Sequence, residues 1–457
     1  MSRVLSIVRA LCTAIVFGML TGVPIFAQEP LRLDIPQARI LAERLYLSHQ
    51  FLAAREVALG LLSRDAGDVR ALIVLSQSER ALGNSKPAES AGKRAWKAAN
   101  NPLEKYGASL VTAQAISTGG ARTRAQFWLR RAIQAAPNKA LEQRAIRDFR
   151  YVQGRNPFTT NLRFSARPSS NINNGSKSDT LVIGGLPFEL SGDARALSGV
   201  EFSYGFSTVY KKQTAANRQW RFGFSLDARS YVLSSEAKRQ APGQNASDYA
   251  FLTAEASLGT TKTLDQGRGQ LAFDLALGRN WYSGDVLGDF GRVTVARTFH
   301  RTRTSNSRYR LSVTRQWRKD NSTRSSTQVA LAADWAKALK SGSVLRWNLG
   351  VQDTASASPS SAQNGVNVGA SLTPENGLFG AQTTYSVGLE ARRYDLPSFG
   401  VLRADNKTTI GVSLFFHKLD YYGFAPTLSV TAARNQSNIS LYDTTEYGLS
   451  IGFRSTF

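Results

Sequence analysis

The residues of this chain best equipped for acid–base or metal chemistry are scattered. Its three histidines, His49, His300 and His417, lie far apart, none at the spacing of paired metal ligands. The single cysteine, Cys12, sits near the start of an apolar run, so a chain cleaved after that run has no disulfide and no thiolate site. Gly267-Arg268-Gly269 brings two glycines together without a third, in an expected turn. No stretch is read as a nucleophile elbow or a phosphate-cradling loop. The sequence therefore gives no catalytic residue, metal site or cofactor, and does not read as an enzyme.

The arginines form a more coherent set. The chain carries 57 Lys and Arg against 33 Asp and Glu, a formal net charge of +24. That balance is open to nucleic acid, anionic lipid or acidic polymers. Arg163, Arg221, Arg229, Arg310, Arg346 and Arg392, with Arg167, fall on the polar phase of segments that alternate apolar and polar residues. If those segments close into a barrel, the polar phase lines a lumen, and a cationic lumen favours anionic solutes or acidic peptide segments. Equally, the same arginines could pair with Asp227, Asp274, Asp334 and Glu390 in a rigid internal ladder, and the sequence leaves both open. Nucleic acid is not an expected partner, because the cations are dispersed along the segments rather than clustered.

Those segments must position the arginines. Leu162, Phe164 and Ala166 alternate with Asn161, Arg163, Ser165 and Arg167; Trp220, Phe222, Phe224 and Leu226 alternate with Arg221, Gly223, Ser225 and Asp227. The pattern recurs to residues 447–457, where Tyr447, Leu449, Ile451, Phe453 and Phe457 share one side and Ser455 is the only polar intruder. It gives about fourteen segments, each near the ~10 residues that a tilted spanning strand requires. Trp220, Trp281, Trp317, Trp335 and Tyr394 lie near segment ends, where interfacial girdles belong. Alternate connections are long (residues 168–196, 234–247, 353–363 and 394–405) and those between them short, apart from a short 283–289. A soluble sandwich would need a broad two-layer core; uniform alternation predicts one closed antiparallel sheet over residues 157–457, an outer-membrane barrel in contact with lipid.

Ahead of it the period is helical. Residues 1–27 have Arg3 and Arg9, an apolar run over 10–20, then Gly22, Pro24 and Ala27, the plan of a cleaved export signal. Residues 28–153 read as helices with short breaks and are expected in the periplasm. Ala54 and Ala88 are 34 apart and Ala125 follows after 37; Ala88 and Ala95, like Ala125 and Ala132, are seven apart, and Pro137 follows five later. In this spacing the stretch resembles the tetratricopeptide repeat over three degenerate units, without that family's early tryptophan. A generic array of helical hairpins fits the same residues. Either one predicts a multidomain chain, a helical repeat domain followed by a transmembrane β-barrel, with protein docking on the helices.

One further stretch carries a resemblance. Pro168-Ser169-Ser170-Asn171-Ile172-Asn173-Asn174 lies just after the first alternating segment. It is similar to the stretch that opens the barrel of the surface lipoprotein assembly modulators (the Slam family and its relatives of unknown function). The layout of signal, repeats and fourteen-strand barrel is similar too. The resemblance implies passage of a client protein, often a lipoprotein, across the outer membrane, with the helices holding the client and the barrel providing the route. Taken alone, Asn171, Asn173 and Asn174 are also good turn formers. The residue-based alternatives are an anion-preferring channel and a surface adhesion or ligand-binding barrel.

Overall fold

In the computed structural model, residues 33–183, 186–264, 267–419 and 421–455 are described. The expected export signal and Phe457 lie outside them. The chain divides into two compact units, one ending at Gly119 and one beginning at Gly120.

The first unit holds α1 (Ile35–Leu47), α2 (Phe51–Arg64), α3 (Val69–Ala81), α4 (Ser85–Ala98) and α5 (Pro102–Thr118). The caps are written in the sequence. Asp34 accepts from the Gln37 backbone at 2.7 Å while the Gln37 side chain accepts from Asp34 N–H, closing a capping box at α1. Asp68 and Asn101 cap α3 and α5 more simply, each accepting from the backbone N–H three residues on, of Ala71 and Glu104. Gly83, at positive φ, ends the α3 segment as glycine best can. Ala54, Ala88 and Ala95 are fully buried. At Gly92 a Cβ would stand 2.4 Å from Thr112 Oγ1, so α4 and α5 approach closely only because no side chain is there. Ion pairs then tie helices together: Arg39–Asp68 at 2.8 Å, Arg70–Glu43 at 2.7 Å and Arg55–Glu79 at 2.7 Å. Burial pushes the Glu79 carboxyl up, but hydrogen bonds from Arg55 and Asn84 outweigh it and hold the group below the ordinary carboxylate range.

The second unit opens with α6 (Arg122–Ala135) and α7 (Lys139–Arg155), then becomes a closed antiparallel barrel. Its fourteen strands are β1 (Phe158–Ser169), β4 (Gly199–Ala215), β5 (Arg218–Leu233), β6 (Phe251–Leu264), β7 (Gly269–Tyr282), β8 (Asp285–Thr302) and β9 (Ser305–Arg318), followed by β10 (Ser326–Ala338), β11 (Val344–Ser356), β12 (Gln363–Thr373), β13 (Gln382–Ser398), β14 (Val401–Phe415), β15 (Phe424–Ser437) and β16 (Thr444–Ser455). Each pairs with its neighbour in sequence, and β1 closes the wall against β16. A small hairpin, β2 (Thr180–Ile183) with β3 (Leu186–Glu189), lies in the first long connection.

Strands of 11 to 18 residues, the shortest β12 and the longest β8, are long enough to cross a hydrocarbon core when tilted. Their apolar phase is left uncovered: Phe222, Phe273, Leu311, Leu331 and Leu389 are all exposed. In water such a band would drive association; against lipid it is the required outer surface. At the end where the chain enters the barrel, Phe299, Tyr309, Trp335 and Trp347 on four successive strands form one aromatic row, with ring centroids about 6 Å apart along it.

Two local expectations are corrected. The long connection expected over 394–405 is a hairpin. β13 and β14 continue through Pro397–Leu402 and Ser398–Val401, and Phe399 and Gly400, both at positive φ, make a two-residue turn that suits the strand twist. Tyr394 also falls on the polar phase, buried beneath the Arg403 guanidinium at 4.4 Å, rather than in a girdle.

Candidate functional site

The polar phase of the barrel is organised by transverse rows. Arg163 on β1 faces Gly205 on β4, which faces Asp227 on β5. The guanidinium crosses the glycine and meets the carboxylate at 2.7 Å. The arrangement repeats at Arg221 on β5, Gly259 on β6 and Asp274 on β7, with a contact of 2.6 Å. A Cβ at Gly205 would lie 2.7 Å from Arg163 Nε, and one at Gly259 only 2.0 Å from Asp274 Oδ1. Each glycine is thus a slot through which an ion pair skips a strand.

Arg310–Asp334 at 3.0 Å and Arg392–Glu390 at 2.6 Å complete the four pairs. Arg229 and Arg346 form no ion pair among the described residues. Arg292 and Glu255 make a further pair that also skips a strand, beside the Phe290 ring. Sequence reasoning had no signal for the glycine slots, because they depend on register. Arg163, Asp227 and Arg229 line a half-open cavity of about 1660 Å³ at the helical end of the barrel, which also takes in Thr159, Asn161 and Ser203 and reaches Leu162 and Phe164 of the apolar phase.

The asparagine stretch is a folded loop. Asn171 Nδ2 donates to Gly175 O at 2.9 Å and its Oδ1 accepts from Gly175 N–H. Asn173 donates to both Asp193 O and Arg195 O and accepts from Leu197 N–H at 2.9 Å. Ile172 is buried with Leu197, Leu233, Ala237 and Ala241, and Asn174 takes the left-handed backbone, at φ 53°. The short side chains replace the sheet partners that a long connection lacks. Beside this loop Arg167 bridges Glu201 at 3.1 Å and Glu446 at 2.7 Å, joining β1 to both its neighbours.

At the other end of the barrel α6 is fastened to the turn before β15. Arg130 donates to Tyr422 O at 3.3 Å and lies over the Phe424 ring at 4.5 Å, and Gln134 accepts from Tyr422 N–H at 3.1 Å. Ala125 and Ala132, on the opposite side of α6, are fully buried, and Pro137 stands between α6 and α7.

One spacing escaped the reading of the sequence. Gly448-Leu449-Ser450-Ile451-Gly452 has the spacing of a nucleophile elbow, yet it lies within β16, paired throughout with β15. An elbow needs a sharp strand-to-helix turn, and this serine sits mid-strand. Among the described residues no group of three His, Cys, Asp or Glu could hold a metal ion.

A closed antiparallel wall with an apolar outer phase and a polar inner one defines an outer-membrane barrel, here preceded by helical hairpins. Residues 299–457 match the SlipAM family, described as surface lipoprotein assembly modifier. No curated protein matches the chain. Among solved structures, the type III secretion translocator chaperone SycD of Yersinia enterocolitica is similar at 18% identity over 27% of this chain and 88% of that one, with a TM-score of 0.25. The COG4313 outer membrane channel of Pseudomonas putida F1 is similar at 10% identity, 64% and 94% coverage and a TM-score of 0.30. A bacterial polysaccharide outer membrane secretin is similar at 8% identity, 64% and 98% coverage and a TM-score of 0.33.

Proposed function

We propose that this chain is an outer-membrane translocator that moves a partner protein, a lipoprotein or another secreted client, to the cell surface. The helices stand in the periplasm and hold the client, and the barrel gives it a route. The observation that carries this reading is the match of residues 299–457 to the surface lipoprotein assembly modifier family, on a barrel that follows helical hairpins in one chain.

An anion-preferring channel is less well supported. Four of the six arginines proposed for the lumen stand against carboxylates, and a paired charge contributes little field to a pore. The test is surface display of a co-expressed lipoprotein, read on intact cells by flow cytometry. Co-expression with this chain should raise display at least tenfold over cells lacking it. Equal display with and without the chain refutes the proposal.

A further inference from the structure

Toward the helical end the outer face of the barrel turns from apolar to cationic. On β4, Lys212 follows Tyr210 by two residues and so shares its lipid-facing phase. On β5, which runs the other way, Arg218 precedes Trp220 by two. On β6 Lys262 follows Thr260, and on β10 Lys337 follows Trp335. Each cation stands one step nearer the rim than its neighbour on that phase, which on three of these strands is Tyr or Trp. Phe158, Tyr210 and Phe222, on β1, β4 and β5, form a second aromatic row, with centroids 5.0 and 6.3 Å apart. Aromatic rings mark the membrane–water interface, so the level just beyond them is that of lipid headgroups.

Register gathers three of these cations into one patch. Arg218 lies directly opposite Lys262, and Lys212 opposite Trp220, which makes Lys212 the diagonal neighbour of Arg218. Residues directly opposite in a sheet have Cβ atoms about 5 Å apart, and long side chains reach their diagonal neighbours. Like charges set opposite each other destabilise a strand pair. All three cations are exposed, and none forms an ion pair among the described residues. Residues 208–222 and 256–264 contain no Asp or Glu, and Asp265, next in sequence, is one acid against three cations. Cations at the loop end are placed differently: Arg279–Asp289, Arg318–Asp320 and Arg403–Asp405 are each in contact at 2.6 Å.

We infer that Lys212, Arg218 and Lys262 form a binding site for the headgroup of an anionic phospholipid, in the leaflet on the helical side of the membrane. The phosphate sits among the three cations, where its oxygens accept from the Arg218 guanidinium and from the two ammonium groups. A bound anion also removes the repulsion between Arg218 and Lys262. The apolar side chains next toward the middle of the wall decide between a lipid and a free anion. Phe222 and Leu258 face each other across β5 and β6, Phe273 lies opposite Thr260, and all three are exposed. They give the acyl chains a surface that inorganic phosphate or an acidic peptide would not use. Clustered Lys and Arg at a membrane surface attract anionic lipid. The site depends on the barrel lying in a membrane and not on the export reading.

The test uses the whole chain in a neutral detergent, with phosphatidylglycerol and phosphatidylcholine of the same acyl chains counted on the protein by native mass spectrometry. The wild type should retain phosphatidylglycerol at least tenfold better than phosphatidylcholine. Lys212→Gln, Arg218→Gln and Lys262→Gln together should erase that preference. The same loss of charge at the loop end, through Lys177→Gln, Lys238→Gln and Arg239→Gln, should leave it intact. No preference in the wild type, or an equal loss in both triple variants, overturns the site. Glycerol phosphate, the headgroup chemistry without acyl chains, should not displace the lipid; displacement by it, or by a glutamate-rich peptide, overturns the lipid as occupant. Guanidinium titration keeps folding separate from binding. In detergent alone the patch variant should unfold at or above the wild-type midpoint, because a like-charge pair is gone; a lower midpoint would make the cations structural instead. Phosphatidylglycerol should raise the midpoint of the wild type only, since a ligand stabilises the state that binds it. An equal rise in the patch variant overturns the site.

Discussion

Replacing Gly259 by valine should destabilise the folded barrel by about 1–3 kcal/mol, the usual cost of forcing extra atoms into a filled space. A Cβ there meets Asp274 Oδ1 at 2.0 Å and the Phe273 carbonyl oxygen at 2.9 Å, so the side chain cannot be accommodated by moving one flexible group. The substitution also blocks the path from Arg221 to Asp274. Both partners are about a third exposed or less, so separating them adds only part of what a fully buried pair would. Gly388→Val is the matched control. Gly388 is also a mid-strand glycine on the polar phase of its strand, but no atom lies within 4 Å of its Cβ position. Valine there should be neutral or slightly stabilising, because it suits a strand better than glycine. Guanidinium titration followed by heat-modifiable gel migration separates the two. If both variants unfold at the wild-type midpoint, the glycine slots are not structural.

Removing the helical unit as far as Gly119 should leave a barrel that folds and inserts while lipoprotein display falls at least tenfold. The division between compact units falls there rather than at the end of the helical sequence. Extending the deletion through Tyr151 should in addition damage the barrel. That deletion takes away Arg130 and Gln134, and with them the hydrogen bonds to Tyr422 and the guanidinium over Phe424. Two such bonds and one cation–π contact are together worth about 1–3 kcal/mol. Display undiminished by the shorter deletion would mean that the helices do not hold the client.

All fourteen strand centres were legible because lipid outside and water inside impose a period of two on every segment. The ends were less so. Once the apolar residues stop, the ladder can continue through polar ones, as β4 does across Lys211 and Lys212 to Ala215 and as β13 does to Ser398. The arginines were legible as a phase and their carboxylate partners as candidates. Which arginine meets which acid depends on register, and register is set by closure of the whole wall. The attachment of α6 was hidden for another reason. Arg130 and Gln134 are ordinary polar helix residues, and nothing in their spacing shows that a turn almost 300 residues later will receive them. The asparagines showed only their turn-forming chemistry; the carbonyls they satisfy come from residues 193 and 195.

The central claim is that a polypeptide passes through the interior of this wall, and an arrested client tests it most directly. A lipoprotein fused to a tightly folded stop domain should be captured by photo-crosslinking residues at Ser257 and Asn348, on the polar phase, and not by one at Val313 on the lipid face. Continued display of the unfused lipoprotein, with no capture of the arrested one from either interior position, would contradict it.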